Sequence, residues 1–350
     1  MTGGLRPAPA SGSIEELIAS LCGRPTASRQ GLVELLRCDD RESKQLYAAA
    51  DEARTRVVGD EVHLRALIEF SNHCRRNCSY CGLRRGHRAL ERYRMTPEEI
   101  IACAVGAARL GYGTVVLQSG EDPWYTGAML AEIVQGIKRK TEIAVALSIG
   151  ERSEDEYWRL KEAGADRFLL RIETSSPTLY RKLHPESVWS KRLECLKALR
   201  SLGYQIGSGV MIGLPGQTFE MLANDLLFLQ SLELDMIGVG PFIPHPATPL
   251  AEATGGTLGL ALRFVACLRL LCPEALIPAT TALGALAVDG RQRALRAGAN
   301  VLMPNCTPVP YRGRYELYPG KVGAAEATES RACVEAMVVG LGRTVGRGRG

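Results

Sequence analysis

Cys74-Arg75-Arg76-Asn77-Cys78-Ser79-Tyr80-Cys81 follows closely on an apolar run at residues 62–70, and this junction decides the fold. The spacing is C-x3-C-x2-C in a polar loop at the end of a first strand. A compact loop with three thiolates suits an iron–sulfur cube, each sulfur bonding one iron corner and the fourth iron left open. Zinc is the rival ligand. It would need a fourth Cys or His for a closed tetrahedron, and His73 and His87 stand near enough in sequence to supply one. Three unliganded cysteines would sit poorly in such a loop, because free cysteine favours burial.

On both sides of this loop, strand-like and helix-like stretches alternate. Strands are predicted at residues 62–70, 114–118, 144–149, 167–172, 205–212, 236–241, 276–280 and 300–303. After the cysteine loop, Thr96, Pro97 and Glu99 form a capping box with proline at the first helical position, which opens a helix. Eight apolar strands alternating with helices fit a (β/α)8 TIM-type barrel, and a doubly wound open sheet fits the same alternation. Position favours the barrel. Polar residues gather just past the strands: Cys74, Gln118 to Asp122, Ser148, Arg171 with Glu173, Met211 with its neighbours, His245, Thr280 with Thr281, and Asn305. Strand ends form the active face of a β/α barrel, and polar groups converging there mark a binding site. Residues 1–60 read as an N-terminal helical segment, 61–325 as the barrel, and 326–350 as a C-terminal helix with a flexible basic tail.

The chain has 350 residues, 46% hydrophobic, which suffices for one large core, and its formal charge of +5 is that of an ordinary surface. Part of that excess lies in Arg343, Arg347 and Arg349 among glycines, read as a free, solubilising end rather than a nucleic-acid arm. No stretch has the form of a signal peptide, and no run of about 18 apolar residues could span a bilayer. The expected location is therefore the cytoplasm. Its reducing conditions argue that the eleven cysteines are ligands or core filler rather than disulfide staples.

The cysteine loop, with Tyr80 before its third cysteine, resembles the signature of the radical S-adenosylmethionine (SAM) superfamily. Further stretches resemble the HydE family of FeFe-hydrogenase maturases. They include Ile68-Glu69-Phe70-Ser71-Asn72, Arg92-Tyr93-Arg94-Met95-Thr96-Pro97, Gly213-Leu214-Pro215-Gly216-Gln217-Thr218, Gly240-Pro241-Phe242-Ile243-Pro244-His245-Pro246 and Leu317-Tyr318-Pro319-Gly320-Lys321. Biotin synthase and methylornithine synthase look like relatives that share fewer of these blocks. The resemblance implies that Cys74, Cys78 and Cys81 hold a 4Fe–4S cluster whose open iron chelates SAM, the source of a 5′-deoxyadenosyl radical. It places Glu173 and Arg192 at SAM, with Tyr80, Ser148, Met211 and Tyr315 lining that pocket. For Arg192 an ordinary salt bridge is an equally simple reading.

Deeper in the barrel, Arg171, Thr280 and Thr281 could bind an anionic substrate, with Tyr318 closing the site. The resemblance implies an iron–cysteine carbonyl/cyanide complex supplied by HydG, attacked by the adenosyl radical at the cysteine sulfur. It also implies HydF as the receiving scaffold and ferredoxin or flavodoxin as electron donor; a monomer is expected. One departure matters. Some family members carry a C-terminal cysteine triad for a second cluster, whereas residues 321–337 contain only Cys333, so one cluster is expected. A mutase resembling methylornithine synthase and a non-catalytic iron–sulfur scaffold remain as alternatives.

Overall fold

The computed structural model describes residues 13–22, 27–321 and 327–350. The strands are β1 (Glu61–Ser71), β2 (Thr114–Ser119), β3 (Ala144–Ser148), β4 (Arg167–Leu169), β5 (Gln205–Ile212), β6 (Met236–Pro241), β7 (Val301–Leu302) and β8 (Thr344–Gly346). The first seven are parallel in the order β6-β5-β4-β3-β2-β1-β7. Single parallel bridges, Met236 to Leu276, Val239 to Ala279 and Pro278 to Val301, carry the ring from β6 to β7. The barrel reading therefore holds over the open sheet.

Alternation sorts side chains between two layers, because successive residues of a strand point to opposite faces. Leu64, Ala66, Ile68 and Phe70 of β1, with Val115, Leu117, Val145 and Leu147, face the helices and join the main core. Leu67, Val116 and Ala146 point inward and meet as a small apolar cluster beside Met303. The inward register that carries Leu67 also carries Arg65 and Glu69, which line the interior.

Four expectations need correction. Residues 276–280 form isolated bridges rather than a regular strand, since Pro278 has no N–H to give a ladder. Only Val301–Leu302 of the eighth predicted strand pairs. β4 stops at Leu169, and the chain rejoins β5 only at Glu173, which bridges Val210. Between them, the Ile172 N–H turns to the Ser208 hydroxyl at 3.1 Å.

The fourth correction concerns the basic tail, which is docked rather than free. β8 pairs with the start of β1, and buried Arg343 donates to the Ala299 carbonyl at 2.9 Å. Arg167 and Thr114 donate to the Arg349 carbonyl at 2.7 and 2.5 Å. A side chain on Gly113 would place its Cβ 2.0 Å from the Gly348 oxygen, so the tail lies flush against the end of the barrel where the strands begin. Buried Arg167 donates to Gln205 Oε1 and Thr114 Oγ1 on the barrel wall at 2.5 and 2.6 Å, and the tail carbonyls complete its set of acceptors.

The capping box is as predicted. Thr96 Oγ1 accepts from the Glu99 N–H at 3.2 Å and Glu99 returns the bond at 2.7 Å. The helix Arg29–Arg37 packs on Phe219–Ser231, and Asp40–Val58 on Leu258–Leu271. Ile18, Leu32 and Leu46 thereby belong to the same core as the barrel helices. Among the described residues no helix is long and apolar enough to cross a membrane.

Candidate active site

The cysteine loop leaves β1 at the strand-end face and is held by backbone bonds to three neighbouring segments. Arg75 N–H donates to the Glu121 carbonyl at 2.9 Å, Ser79 N–H to Leu183 at 2.8 Å, and Gly82 N–H to Leu317 at 3.0 Å. Gly82 has no room for a side chain: a Cβ would lie 2.1 Å from the Glu316 oxygen and 2.7 Å from the His245 ring. Burial pushes the Cys74 thiol up, Cys78 up to about 12, and Cys81 higher still. Bare thiols here resist ionisation, so a cationic partner is what would make them thiolates.

Zinc is poorly served. Neither His73 nor His87 joins the three cysteines in a group closing on a single ion. His87 instead sets its Nδ1 2.8 Å from the Gly82 carbonyl and its ring against His245. Three soft donors on one loop without a fourth fit a cluster with an open iron.

Cys81 opens on a cavity of about 340 Å³ inside the barrel. Tyr80, Ser148, Glu173, Met211 and Tyr315 line it, as do Arg171, Thr280, Thr281 and Tyr318. Arg171 and Glu173 meet in a two-point ion pair at 2.8 and 2.9 Å, and Arg171 also donates to the Val210 carbonyl at 2.8 Å. Glu173 adopts a φ of 64°, a conformation that a residue with a side chain holds only under constraint. The Thr281 and Tyr318 hydroxyls lie 2.5 Å apart, while Thr280 donates to the Val239 carbonyl at 3.1 Å. Tyr80 Oη is 3.0 Å from His184 Nε2. Burial, reinforced by the Arg192 charge, draws His184 down to about 3, so that ring is neutral and its Nε2 accepts.

Arg192 does not line this cavity. Its Nε lies 2.7 Å from Glu151 Oε1, and it donates to the Arg171 carbonyl at 3.3 Å. It ends a chain of alternating charges running Arg75, Glu121, Arg76, Glu151, Arg192, with contacts of 2.6–2.8 Å. That chain ties Arg192 to the cysteine loop. Its charge also bears on Cys78.

Sequence reasoning overlooked two inward positions on β1. Glu69 is fully buried on the cavity wall, ion-paired with Lys321 and accepting from Asn305 Nδ2 at 3.0 Å. Arg65 lies two inward positions before Glu69 on the same strand, its Nη1 2.5 Å from the Met236 sulfur, while Nε and Nη2 meet no hydrogen-bond partner among the described residues. Counting by twos from Leu67 would have found both.

Comparison with known proteins agrees with this geometry. The family model for the radical SAM superfamily matches residues 68–229. The FeFe hydrogenase maturase subunit HydE of Thermotoga maritima is 53% identical over 91% of this chain and 92% of its own. The 3-methylornithine synthase of Methanosarcina acetivorans is 30% identical over 75% of each chain. The crystal structure of methylornithine synthase, PylB, superposes with a TM-score of 0.82 at 26% identity, covering 95% of this chain and 97% of that one. A cysteine loop of this spacing, a parallel barrel with its cavity beneath it, and identity along nearly the whole length lead to one assignment: the chain is a radical SAM enzyme and belongs to the HydE family of FeFe-hydrogenase maturases.

Proposed function

We propose that this enzyme matures the FeFe-hydrogenase active site, acting on the cysteine sulfur of an iron–cysteine carbonyl/cyanide complex supplied by HydG. The observation that carries this reading is the cavity itself, which runs from Cys81 down to Arg171, Thr280, Thr281 and Tyr318. Cys74, Cys78 and Cys81 hold a single 4Fe–4S cluster. With SAM bound, that cluster supplies a 5′-deoxyadenosyl radical, the hard chemistry that the protein itself lacks.

The residues then have separate tasks. Glu173 accepts from SAM donors, and Tyr80, Ser148, Met211 and Tyr315 shape its pocket. Arg192 supplies positive charge behind the rim. Arg171, the two threonines and Tyr318 orient an anionic substrate below, and Arg65 adds a further cation that has no acidic partner among the described residues. The closed wall keeps water from the radical. HydF receives the product in the cytoplasm. The exposed Arg85, Arg88 and Lys182 flank the outer side of the cluster loop and suit an acidic donor such as ferredoxin or flavodoxin.

The test is anaerobic reconstitution with SAM, a reductant and the HydG product. Expected are about four irons and four sulfides per chain, release of 5′-deoxyadenosine and consumption of the iron–cysteine complex. Cys78→Ala loses both cluster and SAM cleavage. A second stable cluster overturns the single-cluster reading. Transfer of the cluster to an apo-protein without SAM cleavage makes the chain a scaffold instead. An amino acid rearranged in its carbon skeleton makes it a mutase, the reading that the PylB superposition keeps in view.

A further inference from the structure

The cysteine loop belongs to a long excursion. The chain leaves β1 at Ser71, runs through residues 72–93 without a helix or a strand, and returns where Arg94 bridges back to Ser71. A loop of this length has no ladder to hold its shape, and loops beyond about 12–15 residues are commonly functional or disordered. Two side chains close its neck. Asn72 donates to the Glu91 and Arg314 carbonyls at 2.9 and 2.8 Å and accepts from the Tyr93 N–H at 2.8 Å. Arg92 reaches across in the other direction. Its Nη1 donates to the Asn72 carbonyl and to Leu83 at 2.9 Å, and its Nη2 to Arg84 at 2.8 Å and His87 at 3.3 Å.

One guanidinium thus binds four backbone carbonyls, one ahead of Cys74 and three beyond Cys81. A planar fork with fixed donors can do this; a lysine ammonium cannot span the same set. Among the described residues no carboxylate forms an ion pair with Arg92, and its carbonyl partners Asn72 and Leu83 stand two residues before Cys74 and two residues after Cys81.

We propose that Arg92 is a positioning residue of the cluster: it fastens the two ends of the cysteine segment and places a positive charge behind Cys74 and Cys81, setting how firmly the loop keeps the cluster and how readily the cluster is reduced. The inference rests on the radical SAM reading of this loop. Reduction adds negative charge to an already anionic assembly, so a nearby cation stabilises the reduced state and raises the potential. Fixing the loop and supplying charge are separable properties, and two substitutions separate them.

The experiment compares anaerobically reconstituted wild type, Arg92→Lys and Arg92→Gln. It measures iron release to a chelator and the midpoint potential by redox titration monitored by electron paramagnetic resonance. Arg92→Gln is expected to lose iron about tenfold faster or more, as when outer partners of metal ligands are removed, and to have a more negative potential. Arg92→Lys is expected to lose iron faster while keeping a potential near that of wild type. If Arg92→Gln does not fold, as judged by its circular dichroism melt, Arg92→Lys alone decides by the same two readouts. Wild-type potential and iron retention in Arg92→Gln would overturn the proposal, and so would a potential in Arg92→Lys as low as that of Arg92→Gln. Wild-type protein that binds no cluster would instead sink the reading of the loop on which the proposal stands.

Discussion

Glu173 holds Arg171 through two contacts, 2.8 Å to Nε and 2.9 Å to Nη2, on the wall of the barrel cavity. The two residues lie two apart where β4 has left its ladder, and both line the cavity. Sequence assigned them to different ligands. In the folded chain each is the other's counter-ion, so the proposed SAM and substrate positions share a charge pair.

Breaking that pair should be costly from either side. Removing one partner of a buried pair leaves an uncompensated charge, at about 3–5 kcal/mol. Arg171→Leu and Glu173→Leu are each expected to lose stability of that order, while the double variant loses clearly less than the sum. Urea denaturation of all four proteins gives the coupling. Additive losses would mean that the pair contributes nothing.

The division between cofactor and substrate is tested at Arg192 and the threonines. Losing a charge-assisted hydrogen bond costs about 1.5–3 kcal/mol, or roughly 10- to 150-fold in affinity. Arg192 bonds to Glu151 and the Arg171 carbonyl rather than lining the cavity, so Arg192→Ala is expected to weaken SAM binding by less than the lower end of that range, with iron content intact. Thr280→Val with Thr281→Val removes the hydroxyl opposite Tyr318 and is expected to leave SAM binding near normal while impairing turnover. The reverse pattern, weak SAM binding with normal turnover in the threonine variant, would show the layers to be misassigned.

His184 gives stability a defined pH dependence. Burial, then the Arg192 charge, draws it to about 3, whereas an unfolded histidine titrates near about 6.5. Between these values the unfolded chain binds a proton that the folded one refuses, so this contribution is full above pH 6.5 and is lost as pH falls. The loss amounts to about 1.4 kcal/mol at pH 5.5. His184→Gln is expected to remove that share of the difference in denaturation free energy between pH 7.5 and 5.5. An unchanged difference would place His184 in contact with solvent.

Truncation after Gly342 removes β8, the Arg343 bonds and the two tail carbonyls that accept from Arg167. At a net 0.5–1.5 kcal/mol per hydrogen bond, the expected loss is about 2–4 kcal/mol, read as a lower melting temperature. Arg167→Ala is expected to reproduce part of it. A melting temperature equal to that of the full chain would restore the free tail.

The sequence by itself determined what short-range rules control. Apolar runs gave most of the strands, the Thr96 and Glu99 box gave a helix start, and loop spacing singled out the three cysteines proposed to hold the cluster. The polar strand ends gave Gln118, Ser148, Arg171, Glu173, Met211, Thr280 and Thr281 of the cavity wall. It could not give the pairings. Glu69 and Lys321 are 252 residues apart in the chain, and the order of strands around the ring is what brings them together. The same holds for the Arg/Gly tail, which looks like a soluble end until Arg167 is buried and needs its carbonyls. Helix and strand patterns are written in contacts a few residues apart. Which buried charge meets which is settled only once the closed barrel has excluded water, because only then does an unpaired charge cost enough to dictate a partner.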